Sequence, residues 1–166
     1  MTLWVVGMMG TGKTTAGAMA ARRREVPFVD TDAEVEKRVG VTLAELWATD
    51  GEDRFRAIEN AVVTSLGGQR SIVATGGGVV LDPGNREVMR GSGPVVWLRA
   101  APTVIVARLG ASPRPLLKGT DDRLERISKL LEERLPLYQA LAEHVIDTDD
   151  LGPDDVSERI AKLWDG

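Results

Sequence analysis

The stretch Leu3-Trp4-Val5-Val6-Gly7-Met8-Met9-Gly10-Thr11-Gly12-Lys13-Thr14-Thr15 sets four apolar residues ahead of a glycine, four further residues, Gly-Lys and a threonine. The apolar run reads as a buried strand, and the glycine-rich run after it reads as the phosphate-binding loop that joins a strand to a helix. Glycine lets the backbone bend so that its N–H groups converge on phosphate oxygens. The positive end of a helix beginning near Lys13 adds to that field. Lys13 is expected to reach the β- and γ-phosphates of ATP and Thr14 to ligate magnesium, with Gly10, Thr11, Gly12 and Thr15 completing the ATP cradle. Such a loop grips phosphates in GTPases and binding modules as well, so the rest of the chain has to decide the function.

Beyond this loop, short β-branched runs recur at Pro27 to Val29, Ser71 to Ala74, Pro94 to Leu98 and His144 to Ile146. Between them Thr14 to Arg24, Asp32 to Val39, Glu52 to Leu66, Pro83 to Arg90, Pro102 to Leu109, Arg123 to Leu141 and Asp154 to Trp164 have helical composition. Strand then helix, repeated, means an α/β fold whose parallel sheet is covered on both faces. Pro136 is expected to break or kink the sixth helix. Thr31 with Glu34 and Thr42 with Glu45 have the spacing of capping boxes. The segment Gly110 to Thr120 holds Pro113, Arg114, Pro115 and Lys118 without a periodic apolar face, and reads as a mobile, basic loop.

With 166 residues, 43% of them hydrophobic, the chain is expected to be a single domain spanning 1–166. A formal net charge of −4 argues against nucleic acid or a membrane surface as partner, since both reward a basic face. The absence of cysteine suits a reducing compartment and excludes thiolate metal sites. The first apolar run is far shorter than the ~20 residues of a membrane helix, and nothing resembles a cleaved signal. The four tryptophans are scattered and mark no cofactor site; His144, the only histidine, is given no role.

Asp30-Thr31-Asp32 lies where the second strand ends and a helix begins, the edge at which open α/β sheets bind ligands. Asp32 alone reads equally as a helix-start carboxylate or an acceptor ligand. Arg56 and Glu59 are three apart on one helix face, and Gly76-Gly77-Gly78 follows the third strand. Alone, the first reads equally as a surface ion pair or part of a site, and the second equally as a flexible turn or part of a site.

Taken together, GMMGTGKTT, DTD, FRAIE, GGG, RPLL and ERLPLY, in that order along nearly the whole chain, resemble the shikimate kinase family. The resemblance implies the five-stranded parallel sheet of nucleoside-monophosphate-kinase-like proteins, with three α/β/α layers and a mobile lid at about 110–120. It implies transfer of the γ-phosphoryl of ATP to the 3-hydroxyl of shikimate in chorismate and aromatic amino acid biosynthesis, in the cytoplasm and as a monomer. It assigns Asp32, Arg56, Gly77, Gly78 and Arg134 to shikimate, with the acceptor-binding region at about 32–60. Glu59 would orient Arg56, Asp30 would reach Mg2+ through water, and Arg114 would come down from the lid onto the phosphates. Arg108 and Pro153 would flank adenine. The assignment has a chemical sense: arginine forks suit the one carboxylate of shikimate, and Asp32 can accept from one of its three hydroxyls.

Two features depart from the family. The first helix runs into Arg22-Arg23-Arg24-Glu25 without the glycine many relatives carry before the second strand, and the lid is short. Competing readings are a related small-molecule kinase such as gluconate kinase, and a nucleotide-binding regulator without catalysis. The first would not be expected to combine FRxxE, the triple glycine and RPLL, and against the second every charged position that the transfer would need is filled.

Overall fold

The computed structural model describes residues 1–110 and 122–164. Strands β1 (Thr2–Val6), β2 (Phe28–Asp30), β3 (Ser71–Ala74), β4 (Val95–Arg99) and β5 (His144–Asp147) form one parallel sheet in the order β2-β3-β1-β4-β5. The helices are α1 (Lys13–Arg23), α2 (Thr31–Val39), α3 (Leu43–Leu66), α4 (Pro83–Ser92), α5 (Pro102–Leu109), α6 (Arg123–Leu141) and α7 (Pro153–Lys162). β1 is central and pairs with β3 on one side and β4 on the other. The connections therefore diverge at its carboxyl end, where such sheets open a ligand crevice.

All five residues of β1 are buried, as a strand covered on both faces requires. Its alternation splits the core in two. Trp4 and Val6 pack with Val73 and Trp97 toward α3, α4 and α6; Leu3 and Val5 pack with Ile72, Val96 and Leu98 toward α1 and α7. No helix among the described residues is long and apolar enough to cross a membrane.

Helix ends follow side-chain chemistry, in places differently from expectation. The Thr42–Glu45 capping box forms, with the Glu45 N–H donating to Thr42 Oγ1 at 3.2 Å and the Thr42 N–H to Glu45 Oε2 at 2.8 Å. The Thr31–Glu34 box does not. Asp30 caps α2 instead, its Oδ1 accepting from the N–H groups of Asp32 (3.0 Å) and Ala33 (3.3 Å). A carboxylate is the better acceptor at the positive end of a helix. Helix α3 begins at Leu43, as the Thr42–Glu45 box implies and ahead of the helical composition expected from Glu52, and Gly51 (φ 81°, ψ 177°) turns it between two helical segments. Helix α6 runs unbroken through Pro136: one backbone hydrogen bond is given up, while Ile127, Leu130, Tyr138 and Leu141 keep its face buried. After α1, Glu25 takes the left-handed conformation (φ 53°) that a glycine would occupy. The N–H of Val26 reaches Ala21 O at 3.0 Å and that of Glu25 reaches Arg22 O at 3.3 Å, so the helix closes without the glycine.

Candidate active site

Three adjoining cavities are lined by residues that follow the carboxyl ends of the strands. The central one, of about 380 Å³, is bounded by Gly10, Gly12, Lys13, Thr14, Thr15 and Asp30. Gly12 supplies the left-handed turn (φ 87°) into α1, whose first N–H groups have no side-chain cap, leaving a positive helix end for an anion. Lys13 is buried and its Nζ donates to Met8 O at 2.7 Å; the Thr11 hydroxyl donates to the same carbonyl at 2.8 Å. Thr14 Oγ1 donates to Asp30 Oδ2 at 2.6 Å. Asp30 thus spends one oxygen on the cap of α2 and the other on the phosphate-loop threonine.

A second cavity, of about 240 Å³, shares Gly12, Thr15 and Arg108 with the first and continues to Thr148, Leu151 and Pro153. Arg108 and Pro153, far apart in sequence, meet here. Thr148 holds the guanidinium: Arg108 Nη1 donates to its hydroxyl at 2.9 Å and Nη2 to its carbonyl. A slot between an arginine plane and a proline ring suits a flat heterocycle.

The third cavity, of about 110 Å³, shares Met9, Asp32, Gly76 and Gly77 with the central one and brings together every acceptor residue expected from the sequence: Asp32, Arg56, Glu59, Gly77, Gly78 and Arg134. Leu43, Trp47 and Phe55 form its apolar side. Glu59 and Arg134 are 1% and 2% exposed, too deep for a solvated ion pair. Arg56 Nη1 donates to Glu59 Oε2 at 2.7 Å, and its guanidinium lies over the Phe55 ring at 5.0 Å and the Trp47 ring at 5.8 Å. Burial pushes the Glu59 carboxyl above its ordinary range; Arg56 beside it pulls the other way, and the Asp32 charge adds to the rise. Glu59 Oε1 and Arg134 Nε are buried without a hydrogen-bond partner, an arrangement that fits a site for a polar ligand.

The triple glycine is not a flexible turn. A Cβ on Gly76 would stand 2.8 Å from Asp32 Oδ1 and 3.0 Å from Glu59 Oε1, one on Gly77 3.2 Å from Arg134 Nη1, and one on Gly78 would overlap the Arg56 guanidinium. Glycine is required because four charged side chains close on this backbone. Tyr138, whose burial pushes its phenol up to about 12, remains a donor and gives a hydrogen bond to Gly77 O at 2.5 Å while stacking on Trp97 at 5.5 Å. Arg114 and the rest of the expected lid beyond Gly110 lie outside the described residues.

A model of the shikimate kinase family matches residues 9–164. Shikimate kinase of Thermodesulfovibrio yellowstonii is 40% identical over 163 residues, which cover 97% of this chain and 93% of that protein. The chain belongs to the shikimate kinase family. A shikimate kinase structure from Acinetobacter baumannii, in complex with shikimate, superposes with a TM-score of 0.93 at 33% identity, covering 98% of this chain and 91% of that one. A gluconokinase from Sinorhizobium meliloti, at TM-score 0.63 and 18% identity over 97% and 89% of the two chains, shares the fold alone. Membership of the shikimate kinase family makes this chain an ATP-dependent kinase.

Some residues of this shikimate kinase family site escape sequence reasoning. Trp47, one of four scattered tryptophans, lines the acceptor cavity. Its spacing of four from Leu43, just after the Thr42–Glu45 box, is the signal. Thr148 lies in a polar stretch with no motif. Tyr138 is visible one turn after Arg134, but its bond to Gly77 is not. His144 is exposed at the start of edge strand β5 and lines none of the three cavities.

Proposed function

We propose that the chain transfers the γ-phosphoryl group of ATP to the 3-hydroxyl of shikimate, giving shikimate 3-phosphate and ADP on the route to chorismate. One observation carries the reading: two arginines and the Asp32 carboxylate share a cavity that opens, through Asp32, Gly76 and Gly77, onto the phosphate loop. Arg56 and Arg134 hold the acceptor carboxylate, with Glu59 orienting Arg56 and the Gly77–Gly78 backbone lying alongside. Asp32 accepts the hydrogen bond of the attacking hydroxyl. As the oxygen–phosphorus bond forms and the bond to ADP breaks, the hydroxyl proton passes toward that carboxylate. Lys13 leaves Met8 O for the β- and γ-phosphates, and Arg108 and Pro153 flank adenine. Arg114 is assigned to the phosphates on the RPLL match.

A hydroxyl and a carboxylate oxygen brought together at Thr14 and Asp30 fit a hard divalent cation. No cluster of three or more metal-ligating side chains exists among the described residues, so such an ion would complete its shell from phosphates and water, as magnesium does. Bound there, magnesium would neutralise charge on the transferring phosphoryl group. The net charge of −4 favours two small molecules over nucleic acid or membrane as partners, and the chain acts as one monomeric, cytoplasmic kinase domain.

Asp32→Ala separates the two halves of the site. ATP affinity is expected to stay within a few-fold of wild type while shikimate phosphorylation falls on the order of 100-fold, because the nucleophile is no longer positioned. Retention of kcat/KM within about threefold would make Asp32 a helix-start carboxylate and remove it from the acceptor site.

A further inference from the structure

The four charged side chains of the acceptor cavity come from three helices, and all of them close on Gly76-Gly77-Gly78. That segment is tied to each of those helices by one buried or half-buried hydrogen-bonded link. At α2, Thr31 Oγ1 accepts from the Gly76 N–H at 3.0 Å, one residue before Asp32. At α6, the Tyr138 hydroxyl donates to Gly77 O, one turn after Arg134. At α3, Asn60, the neighbour of Glu59, donates through Nδ2 to Asn85 Oδ1 at 3.0 Å, and Asn85 Nδ2 donates to Val79 O at 3.1 Å. The Val79 N–H then returns to Gly76 O at 3.2 Å, closing the turn. Thr31, Asn85 and Tyr138 are fully buried, so none of them is a surface polar group that water could replace.

We propose that Thr31, Asn85 and Tyr138 are positioning residues for the acceptor, pinning the triple-glycine segment so that Asp32, Arg56 and Arg134 converge on one small molecule. None of the three lines the acceptor cavity, so each acts through the glycine backbone. The inference rests on the proposed shikimate reading of that cavity. Its physical basis is the tightness of the packing. With Arg134 Nη1 only 3.2 Å from the Cβ direction of Gly77 and Arg56 closer still to that of Gly78, a shift of a few tenths of an ångström in the segment redirects the guanidinium forks. Removing a pin also leaves a buried carbonyl or N–H without its partner, which the segment can relieve only by moving.

The test compares wild type with Thr31→Val, Thr31→Ser, Asn85→Leu and Tyr138→Phe, measuring KM for shikimate, KM for ATP, kcat and Tm. Tyr138→Phe keeps the ring stacked on Trp97 and removes only the hydroxyl. The expected result is a rise of roughly tenfold in shikimate KM for Thr31→Val, Asn85→Leu and Tyr138→Phe, ATP KM within about threefold, and recovery in Thr31→Ser, which keeps the acceptor oxygen. If Asn85→Leu does not fold, the Thr31 pair and Tyr138→Phe decide. Lower Tm with shikimate KM within about twofold would make the pins merely structural and overturn the proposal, as would an equal rise in both KM values. If wild type does not turn over shikimate, the functional reading falls and this one with it; turnover by wild type with unaffected variants removes the pinning alone.

Discussion

Replacing Gly78 with alanine adds one methyl group at the point where the acceptor cavity has least room. The new Cβ would stand 2.7 Å from Arg56 Nη1 and 2.8 Å from Cζ, both inside any real carbon contact. Arg56 is the far end of a flexible side chain, so the fold survives and the guanidinium moves. That movement breaks its 2.7 Å bond to Glu59 and takes the fork out of reach of an acceptor carboxylate. A hydrogen bond to a charged group contributes about 1.5–3 kcal/mol, so shikimate affinity should fall roughly 12- to 150-fold. Gly78 lines the acceptor cavity and not the central one, and ATP affinity should therefore be unchanged. Gly77→Ala, which meets Arg134 Nη1 at a less severe 3.2 Å, should cost less. Calorimetric titration of each variant with shikimate and with an ATP analogue reads both quantities. Shikimate affinity within about threefold of wild type in Gly78→Ala, or a larger loss in Gly77→Ala, would refute this reading of the packing.

Glu59 predicts a pH dependence. Its pKa is raised by burial, so the folded state holds the proton more tightly than the unfolded one, and the stability this brings is present below the ordinary carboxylate range and lost as pH rises through the higher folded value. Urea denaturation against pH should show that decline in wild type and lack it in Glu59→Gln; a decline of equal size in both would assign it elsewhere. Glu25→Gly should relieve the left-handed strain at φ 53° and raise Tm by about 3 °C for a gain near 1 kcal/mol, with kinetics unchanged, as followed by calorimetry. A lower Tm would mean that the side chain of Glu25 outweighs its backbone.

The sheet is legible in the sequence because β-branched runs of three to five residues have one natural reading between helices, and the strand limits differ from expectation by one residue at most. The phosphate loop is legible because its glycines, lysine and threonine are needed in that order. Less legible are features set by competition or tertiary contact. Thr31 and Glu34 have capping-box spacing, yet the Asp30 carboxylate takes the helix end and the Thr31 hydroxyl serves Gly76 instead. Gly51 interrupts the apolar pattern of α3, so the segment with Leu43 and Trp47, although opened by the Thr42–Glu45 box, is not read as one helix with the residues from Glu52. Pro136 looks like a stop, but packing holds α6 together around it. The three glycines read locally as flexibility; only the side chains brought over them from α2, α3 and α6 reveal that space is the requirement.

The most direct test of shikimate phosphorylation is to incubate the chain with ATP and magnesium and either shikimate or gluconate, following ADP release and identifying the product by mass. Shikimate-dependent ADP release is predicted, with shikimate 3-phosphate as the product and no gluconate phosphate above background. Phosphorylated gluconate in preference, or ADP release that shikimate does not increase, would contradict it.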